Sequence, residues 1–321
     1  MNYGELIGDA FRITLRNRYL WFFGFFAGGS TGFNVPTNIP TGGGNFNPDD
    51  FQSSSMMLSA VQVGQGLGTG ILIAGIVIIA LILALFFIFM SIVSQGALAD
   101  SVAAIDRGDR RSFGTTFRSG MGNFWRVLGY FVVFILIGIG LLLVIGIPVA
   151  LVIVGTIAAT QAVGARIAVI AVVVILAVLA LIVVFVPLSI IGQYALREIV
   201  VRRERVLGSL GSGYGIFRRN IGRSLLILLI QFGISIGIAI AFFLALLIVG
   251  LVLFIPTIAL AVAGISTGAW IAGGIALIIL IPLLLVATGA IGTFSHAYWT
   301  LAYLRVTAAA APPTAAPSPT I

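Results

Sequence analysis

Long apolar segments without charge alternate with short charged segments along this chain. Residues 127–165 and 167–196 contain no charged side chain, and residues 224–304 contain none apart from the ionisable His296. Each segment exceeds the ~20 residues with which a helix spans the ~30 Å core of a bilayer. Residues 67–99 form a further apolar run. The pattern predicts an all-α fold, a polytopic bundle of membrane-spanning helices.

A charged block precedes the apolar residues three times, and the three copies align. The matching positions are Gly8, Phe11 and Asn17, then Gly114, Phe117 and Asn123, then Gly211, Tyr214 and Asn220. Three pseudo-repeats of two spans each predict about six transmembrane helices. The units cover about residues 3–99, 107–196 and 202–304, within a membrane domain at 1–306.

The spacing of apolar residues inside each block is helical. Ile7, Phe11 and Leu15 recur every four residues, while Glu5 and Arg12 lie on the opposite face. The corresponding stripes are Phe113, Phe117, Met121 and Phe124 in the second block and Leu207, Leu210, Tyr214, Phe217 and Ile221 in the third. This periodicity predicts an amphipathic interfacial helix before each unit.

Polar positions indicate where the spans turn. Thr156, Thr160 and Gln161 interrupt the aliphatic residues and predict a turn within 155–166. Residues 224–304 are long enough for two long helices with a turn at 264–268, or for three shorter ones. The repeat favours two.

The first unit is the least regular. Its leading apolar run, 19–27, is short, yet the number of crossings requires a span, which we expect at about residues 13–33. A re-entrant or interfacial helix is the alternative. Segment 34–66 is rich in Gly, Asn, Pro and Ser and predicts an external loop. The Ala/Pro/Ser/Thr residues of 307–321 predict a disordered tail.

Composition and charge agree with a membrane location and orient the chain. Hydrophobic residues make up 60% of the chain and charged residues 8%, against about 25% charged in soluble domains. All 17 basic residues are Arg, and all but Arg166 fall on the side of the blocks. Such asymmetry predicts that the blocks and both termini are cytoplasmic. The arginines flank apolar spans instead of forming a basic face on a soluble body, which excludes nucleic acid as a partner.

Few residues offer catalytic chemistry. The chain has no cysteine and one histidine, which excludes thiolate and multi-histidine metal sites. None of the nine carboxylates falls inside a predicted span, where a buried acid would indicate proton chemistry. We therefore expect no enzyme activity and no cofactor. Gln193, Gln231 and His296 are the candidate intramembrane polar contacts, joining helices or contacting a solute.

Two functions fit these features. In the first, a non-enzymatic protein organises membrane lipid or a partner protein at the cytoplasmic leaflet, since each basic residue near an anionic surface contributes about 1 kcal/mol. The candidate head-group contacts are Arg12, Arg16, Arg111, Arg118, Arg126, Arg218, Arg219 and Arg223. In the second, a permease or exporter of a lipidic or hydrophobic solute has a cavity lined by Gln193, Gln231 or His296. A membrane protein or a second copy of the chain is a further expected partner.

Four segments carry a family resemblance. They read YGELIGDAFRITLRNRYLWFFGFFAGG, SFGTTFRSGMGNFWRVL, FRRNIGRSLL and FSHAYWTLAYLRV. Together they resemble the glycerophosphoryl diester phosphodiesterase membrane-domain family and related uncharacterised bacterial multi-span proteins. The resemblance implies a multi-pass protein of the bacterial plasma membrane. It does not imply the phosphodiesterase activity, because the chain lacks room for that domain and the histidines and acids its metal chemistry requires.

Overall fold

The computed structural model describes residues 2–28 and 67–310, and all the elements within them are α-helices. The helices are α1 (Tyr3–Arg16), α2 (Leu20–Ala27), α3 (Leu67–Asp106), α4 (Phe113–Ala159), α5 (Val163–Val201), α6 (Val206–Arg219), α7 (Ile221–Val262) and α8 (Ser266–Ala310). The predicted external loop lies outside the described residues, as does the tail from residue 311. Helix α8 continues to Ala310, so the predicted tail began too early.

Five helices, α3, α4, α5, α7 and α8, are long and apolar enough to cross a membrane. Helix α4 has 47 residues, which is about 70 Å at 1.5 Å per residue. Large apolar side chains are exposed around these helices, among them Val144, Val183 and Ile278. A helix that is apolar on all sides suits lipid. The predicted turns are confirmed at residues 160–162 and 263–265, and residues 224–304 form two helices, not three.

The first predicted span differs from the prediction at its start. Helix α1 runs through Arg16 and ends at Asn17, and α2 begins only at Leu20. The Asn17 side chain donates to the Ile13 carbonyl oxygen at 3.0 Å and closes the last turn. With eight residues, α2 is about 12 Å long, less than the core of a bilayer. Residues 29–33 of the predicted span lie outside the described part.

The second block is not a separate helix, which corrects the prediction of an interfacial helix before each unit. Ser112 caps the start of α4, and the helix then passes through Asn123 without a break. Asn123 makes the same side-chain bond as Asn17, to the Ser119 carbonyl oxygen at 3.1 Å. This bond does not end a helix by itself, because the backbone of α4 continues its own hydrogen bonds beyond it. Separate helices are formed only in the first and third blocks, as α1 and α6.

The block helices pack on the bundle through small residues. A Cβ atom added to Gly120 would lie 2.4 Å from the Val93 carbonyl oxygen, and one added to Gly213 would lie 2.9 Å from the Ile191 carbonyl oxygen. Helix α1 buries Leu6, Ala10, Ile13 and Thr14. The large apolar residues of the predicted stripes mostly face outward instead, because small residues allow backbones to approach closely. The exposed members include Phe11, Leu15, Met121, Leu207 and Tyr214.

The three helices that end their predicted units, α3, α5 and α8, contact one another. Helix α1 packs on α8, the start of α4 on α3, and α6 on α5, while α2 lies against both α3 and α8. The largest buried cluster joins side chains from α1, α3, α5, α7 and α8, including Leu6, Leu98, Tyr194, Ile227 and Tyr303. These residues lie at the end of the bundle that carries Arg126, Arg202, Arg223 and Arg305, which we call the arginine end.

Candidate functional site

A cavity of about 670 Å³ lies between α4, α5, α7 and α8. Its polar lining comes from Tyr130, Ser189, Gln193, Gln231 and Ser235, and most of the remaining wall is apolar. A mainly apolar pocket with a few polar groups, of roughly 300–1,000 Å³, is typical of small-molecule sites. We call this space the main cavity.

The main cavity is close to the arginine end. Gln193 precedes Arg197 by one helical turn, and Gln231 lies eight residues beyond Arg223, which is about 12 Å along α7. The cavity therefore extends from near the arginine end towards the middle of the helices.

Among the other cavities, a small one of about 30 Å³ adjoins the main cavity through shared lining residues. Gln95 of α3, Gln193 of α5 and His296 of α8 each line it, together with Tyr130 and Gly192. Helices α3, α5 and α8 thus each contribute one polar side chain to this small cavity. Its volume is about that of one water molecule.

Each of the three predicted intramembrane polar residues lines at least one of these two cavities. Gln193 lines both, Gln231 lines the main cavity and His296 lines the small one. Gln231 donates through Nε2 to Ser295 Oγ at 3.3 Å and so joins α7 to α8. His296 Nε2 lies 3.4 Å from the Ala27 carbonyl oxygen, so the imidazole contacts α2. Within the described residues, Gln231 Oε1 and His296 Nδ1 are buried without a hydrogen-bond partner. Gln231 and His296 thus each contact a neighbouring helix and each keep one buried polar atom without a hydrogen-bond partner in the described residues.

Arg197 is a functional candidate that the sequence analysis did not single out. Its side chain is fully buried, and Nη1 donates to the Gln193 carbonyl oxygen at 2.9 Å and to Gln193 Oε1. Nε and Nη2 have no hydrogen-bond partner in residues 2–28 and 67–310, and no ion pair involves Arg197 there. Tyr130, Tyr194 and His296 interact with it electrostatically, and none of these three is a carboxylate.

The signal for Arg197 lay in its position one turn after Gln193. Side chains of a helix lean towards its N-terminus, so the guanidinium of Arg197 reaches back to the depth of Gln193. The acid next to it in sequence, Glu198, faces elsewhere. Glu198 Oε1 accepts from the Tyr303 hydroxyl at 2.9 Å and lies 3.6 Å from Arg202 Nη1.

Most of the candidate head-group arginines are exposed. Seven of them are exposed, namely Arg12, Arg16, Arg118, Arg126, Arg218, Arg219 and Arg223. Arg111 differs, since it is half-buried and lies 3.3 Å from Asp100, whose carboxylate also accepts from Ser119 Oγ at 2.7 Å. Arg111 therefore ties the loop before α4 to α3, and Ser119 joins α4 to the same carboxylate.

No cluster of three or more His, Cys, Asp or Glu side chains that suits a metal occurs in the described residues. The fold and the polar cavities define a helical protein with five helices fit to cross a membrane. The chain belongs to DUF7544, a family of unknown function, whose model matches residues 19–310. Neither a curated protein nor a solved structure matches the chain significantly. The resemblance to the phosphodiesterase membrane domain stays a prediction.

Proposed function

We propose that the chain crosses the bacterial plasma membrane six times, in three related units, with both termini and the arginine end cytoplasmic. Equivalent contacts support the repeat. Asn17, Asn123 and Asn220 each donate to the carbonyl oxygen four residues earlier, at 3.0, 3.1 and 3.2 Å. The equivalent positions Ala10 and Gly213 are both buried, as is Thr116 between them.

The order of helix contacts also supports three units. The block of the second unit packs on α3 and that of the third on α5, each the last helix of the unit before. The first block, α1, packs on α8, the last helix of the third unit. The three units thus close into a ring. In this arrangement α2 belongs to the short sixth crossing.

Single-cysteine variants test the topology without background, because the chain has no cysteine. A membrane-impermeant maleimide should label Asp109→Cys and Arg205→Cys from the cytoplasmic side, and Gln161→Cys and Ser266→Cys from the other. Asn45→Cys should be labelled from the same side as Gln161→Cys and Ser266→Cys. Labelling of Asn45→Cys from the cytoplasmic side would contradict a crossing by the first unit. The cysteine-free chain is the control and should remain unlabelled.

The function that the geometry supports best is non-enzymatic binding of a lipidic solute in the main cavity, as in a permease or exporter. The observation that carries this proposal is the main cavity itself, with Gln193 and Gln231 in its wall. Its position favours entry from the bilayer. Helices α2 and α8 meet closely, whereas α5 and α7 make little contact apart from the Tyr194–Ser224 hydrogen bond of 3.0 Å.

The organisation of lipid or a partner protein at the cytoplasmic leaflet is the second candidate. It is favoured by exposed arginines that alternate with exposed aromatic residues, such as Arg12 with Phe11, Arg126 with Trp125, and Arg218 near Tyr214. An interfacial helix of this kind buries its aromatic residues near the acyl boundary and offers its cations to head groups.

Filling the main cavity tests the first function. Ser235→Trp places an indole in the cavity, and we expect the purified variant to retain less lipid per chain than the native protein, measured by native mass spectrometry in a neutral detergent. Ile236→Trp is the matched control, because Ile236 is exposed on the same helix and does not line the cavity. The control should retain as much lipid as the native chain.

The same measurement separates the two candidates. If the leaflet function is correct, joint replacement of Arg12, Arg118 and Arg218 by Gln should weaken binding to anionic vesicles, and Ser235→Trp should leave lipid retention unchanged. Equal lipid retention by Ser235→Trp and the native chain would exclude the cavity as the lipid site.

A further inference from the structure

A buried cation, Arg197, lies behind the wall of the main cavity without lining the cavity itself. Arg197 is bonded to Gln193, and Gln193 lines both the main and the small cavity. Tyr130, which also lines both, and His296, which lines the small cavity, are close enough to Arg197 to interact with it electrostatically. The guanidinium is therefore bonded directly to the residue that both cavities share in their walls.

This cation has no counter-charge among the described residues. Burying an unpaired ion costs several kcal/mol even after the protein relaxes, and buried charges in proteins are normally paired. Glu198 forms no ion pair with Arg197 in the described residues, and its Oε1 atom instead accepts from Tyr303 and faces Arg202. Asp100 is held by Arg111 and Ser119.

We infer that the solute of the main cavity is an anionic amphiphile whose carboxylate or phosphate group binds Arg197 through Nε and Nη2. This rests on the proposed function. Two parallel N–H donors of a guanidinium match two oxygens of either group. His296 and Gln231 each keep one further polar atom without a partner in the described part, and buried polar atoms of this kind are rare in native proteins.

The rest of the cavity suits the apolar part of such a molecule. Phe131, Phe134, Leu225, Leu228 and Phe232 line it. Their side chains continue away from Arg197 along α4 and α7, towards the middle of the helices. An acyl chain in contact with them would remain in an apolar environment while its head group meets the cation.

Removal of the charge tests the inference on the full chain in a neutral detergent. The probes are dioleoylphosphatidylglycerol and oleate as anionic amphiphiles, dioleoylphosphatidylcholine as a zwitterionic one, and inorganic phosphate as an anion without a chain. Binding is measured as the rise in melting temperature over a titration. For Arg197→Met we expect the affinity for the anionic amphiphiles to fall roughly 10- to 100-fold, which is the effect of losing bonds to a charged group.

Two further variants make the result specific. Arg197→Lys keeps the charge but loses the paired donors, and its affinity should fall about tenfold. Arg223→Met removes an exposed arginine and should bind like the native chain. In the absence of added lipid, Arg197→Met should melt at a higher temperature than the native chain, because it removes an unpaired buried charge.

Unchanged affinity for both anionic amphiphiles in Arg197→Met, or in Arg197→Lys if the former does not fold, would overturn the inference. A response to inorganic phosphate equal to that for phosphatidylglycerol would also overturn it, since the acyl chains of the lipid would then contribute nothing to binding. Ser235→Trp distinguishes failure of this inference from failure of the proposed function. If Ser235→Trp blocks binding of all three lipids while Arg197→Met changes none of them, the cavity binds lipid but Arg197 does not bind an anionic head group. If neither variant changes lipid binding, the proposed function is wrong as well.

Discussion

Gly24→Ala should destabilise the protein by about 3 kcal/mol, the upper end of what overpacking costs. The added Cβ would lie 2.1 Å from the Gly289 carbonyl oxygen, 2.2 Å from Thr293 Oγ1 and 2.5 Å from the Thr293 backbone nitrogen. Two of these atoms belong to the backbone of α8 and cannot move aside like a side chain. Helix α2 must then separate from α8, which also breaks the 2.9 Å hydrogen bond from Thr293 Oγ1 to the Leu20 carbonyl oxygen.

Thermal unfolding in detergent micelles measures this effect. Gly8→Ala is the matched control, because a Cβ at Gly8 meets nothing within 4 Å and alanine favours a helix by up to about 1 kcal/mol over glycine. We therefore expect the unfolding temperature to fall for Gly24→Ala and to rise slightly for Gly8→Ala. Gly24→Ala unfolding at the native temperature would mean that α2 is not docked on α8.

These two glycines also illustrate what the sequence can predict. The alignment of Gly8, Gly114 and Gly211 indicated the repeat, yet none of the three meets another atom where a Cβ would lie. Gly24 and Gly233 both begin a small-xxx-small spacing, but only Gly24 is in close contact. Spacing gives the face of a helix, while the need for glycine depends on which helix lies against that face, and this is set by the whole bundle.

Charge shows the same limit. The placement of nearly all arginines at one end followed from the sequence, because the apolar segments left few other positions. The partner of each arginine could not be predicted from the sequence. Arg197 and Glu198 are neighbours in the chain, but successive residues of a helix project about 100° apart, and the two side chains face different helices. The polar wall of the cavity was predictable from Gln193 and Gln231, whereas the buried cation beside it depended on how α5 is rotated.

The second large effect is expected at the contact that joins α8 to α5 near the arginine end. Tyr303→Phe should destabilise the protein by about 2 kcal/mol, since hydrogen bonds to charged groups contribute about 1.5–3 kcal/mol. The Glu198 side chain is fully buried, and its Oε1 atom accepts from the Tyr303 hydroxyl, while Oε2 has no partner in the described residues. Without that hydroxyl, only Arg202, more than half exposed, faces the carboxylate.

A double-mutant cycle with Glu198→Gln isolates the bond, because it measures the energy that the two side chains share. We expect the loss on Tyr303→Phe to shrink in the Glu198→Gln background, where the acceptor is neutral. Tyr214→Phe is the control, because Tyr214 is exposed on α6. The unfolding temperature of this variant should equal that of the native protein. Equal losses on Tyr303→Phe in both backgrounds would contradict a charge-assisted bond between α8 and α5.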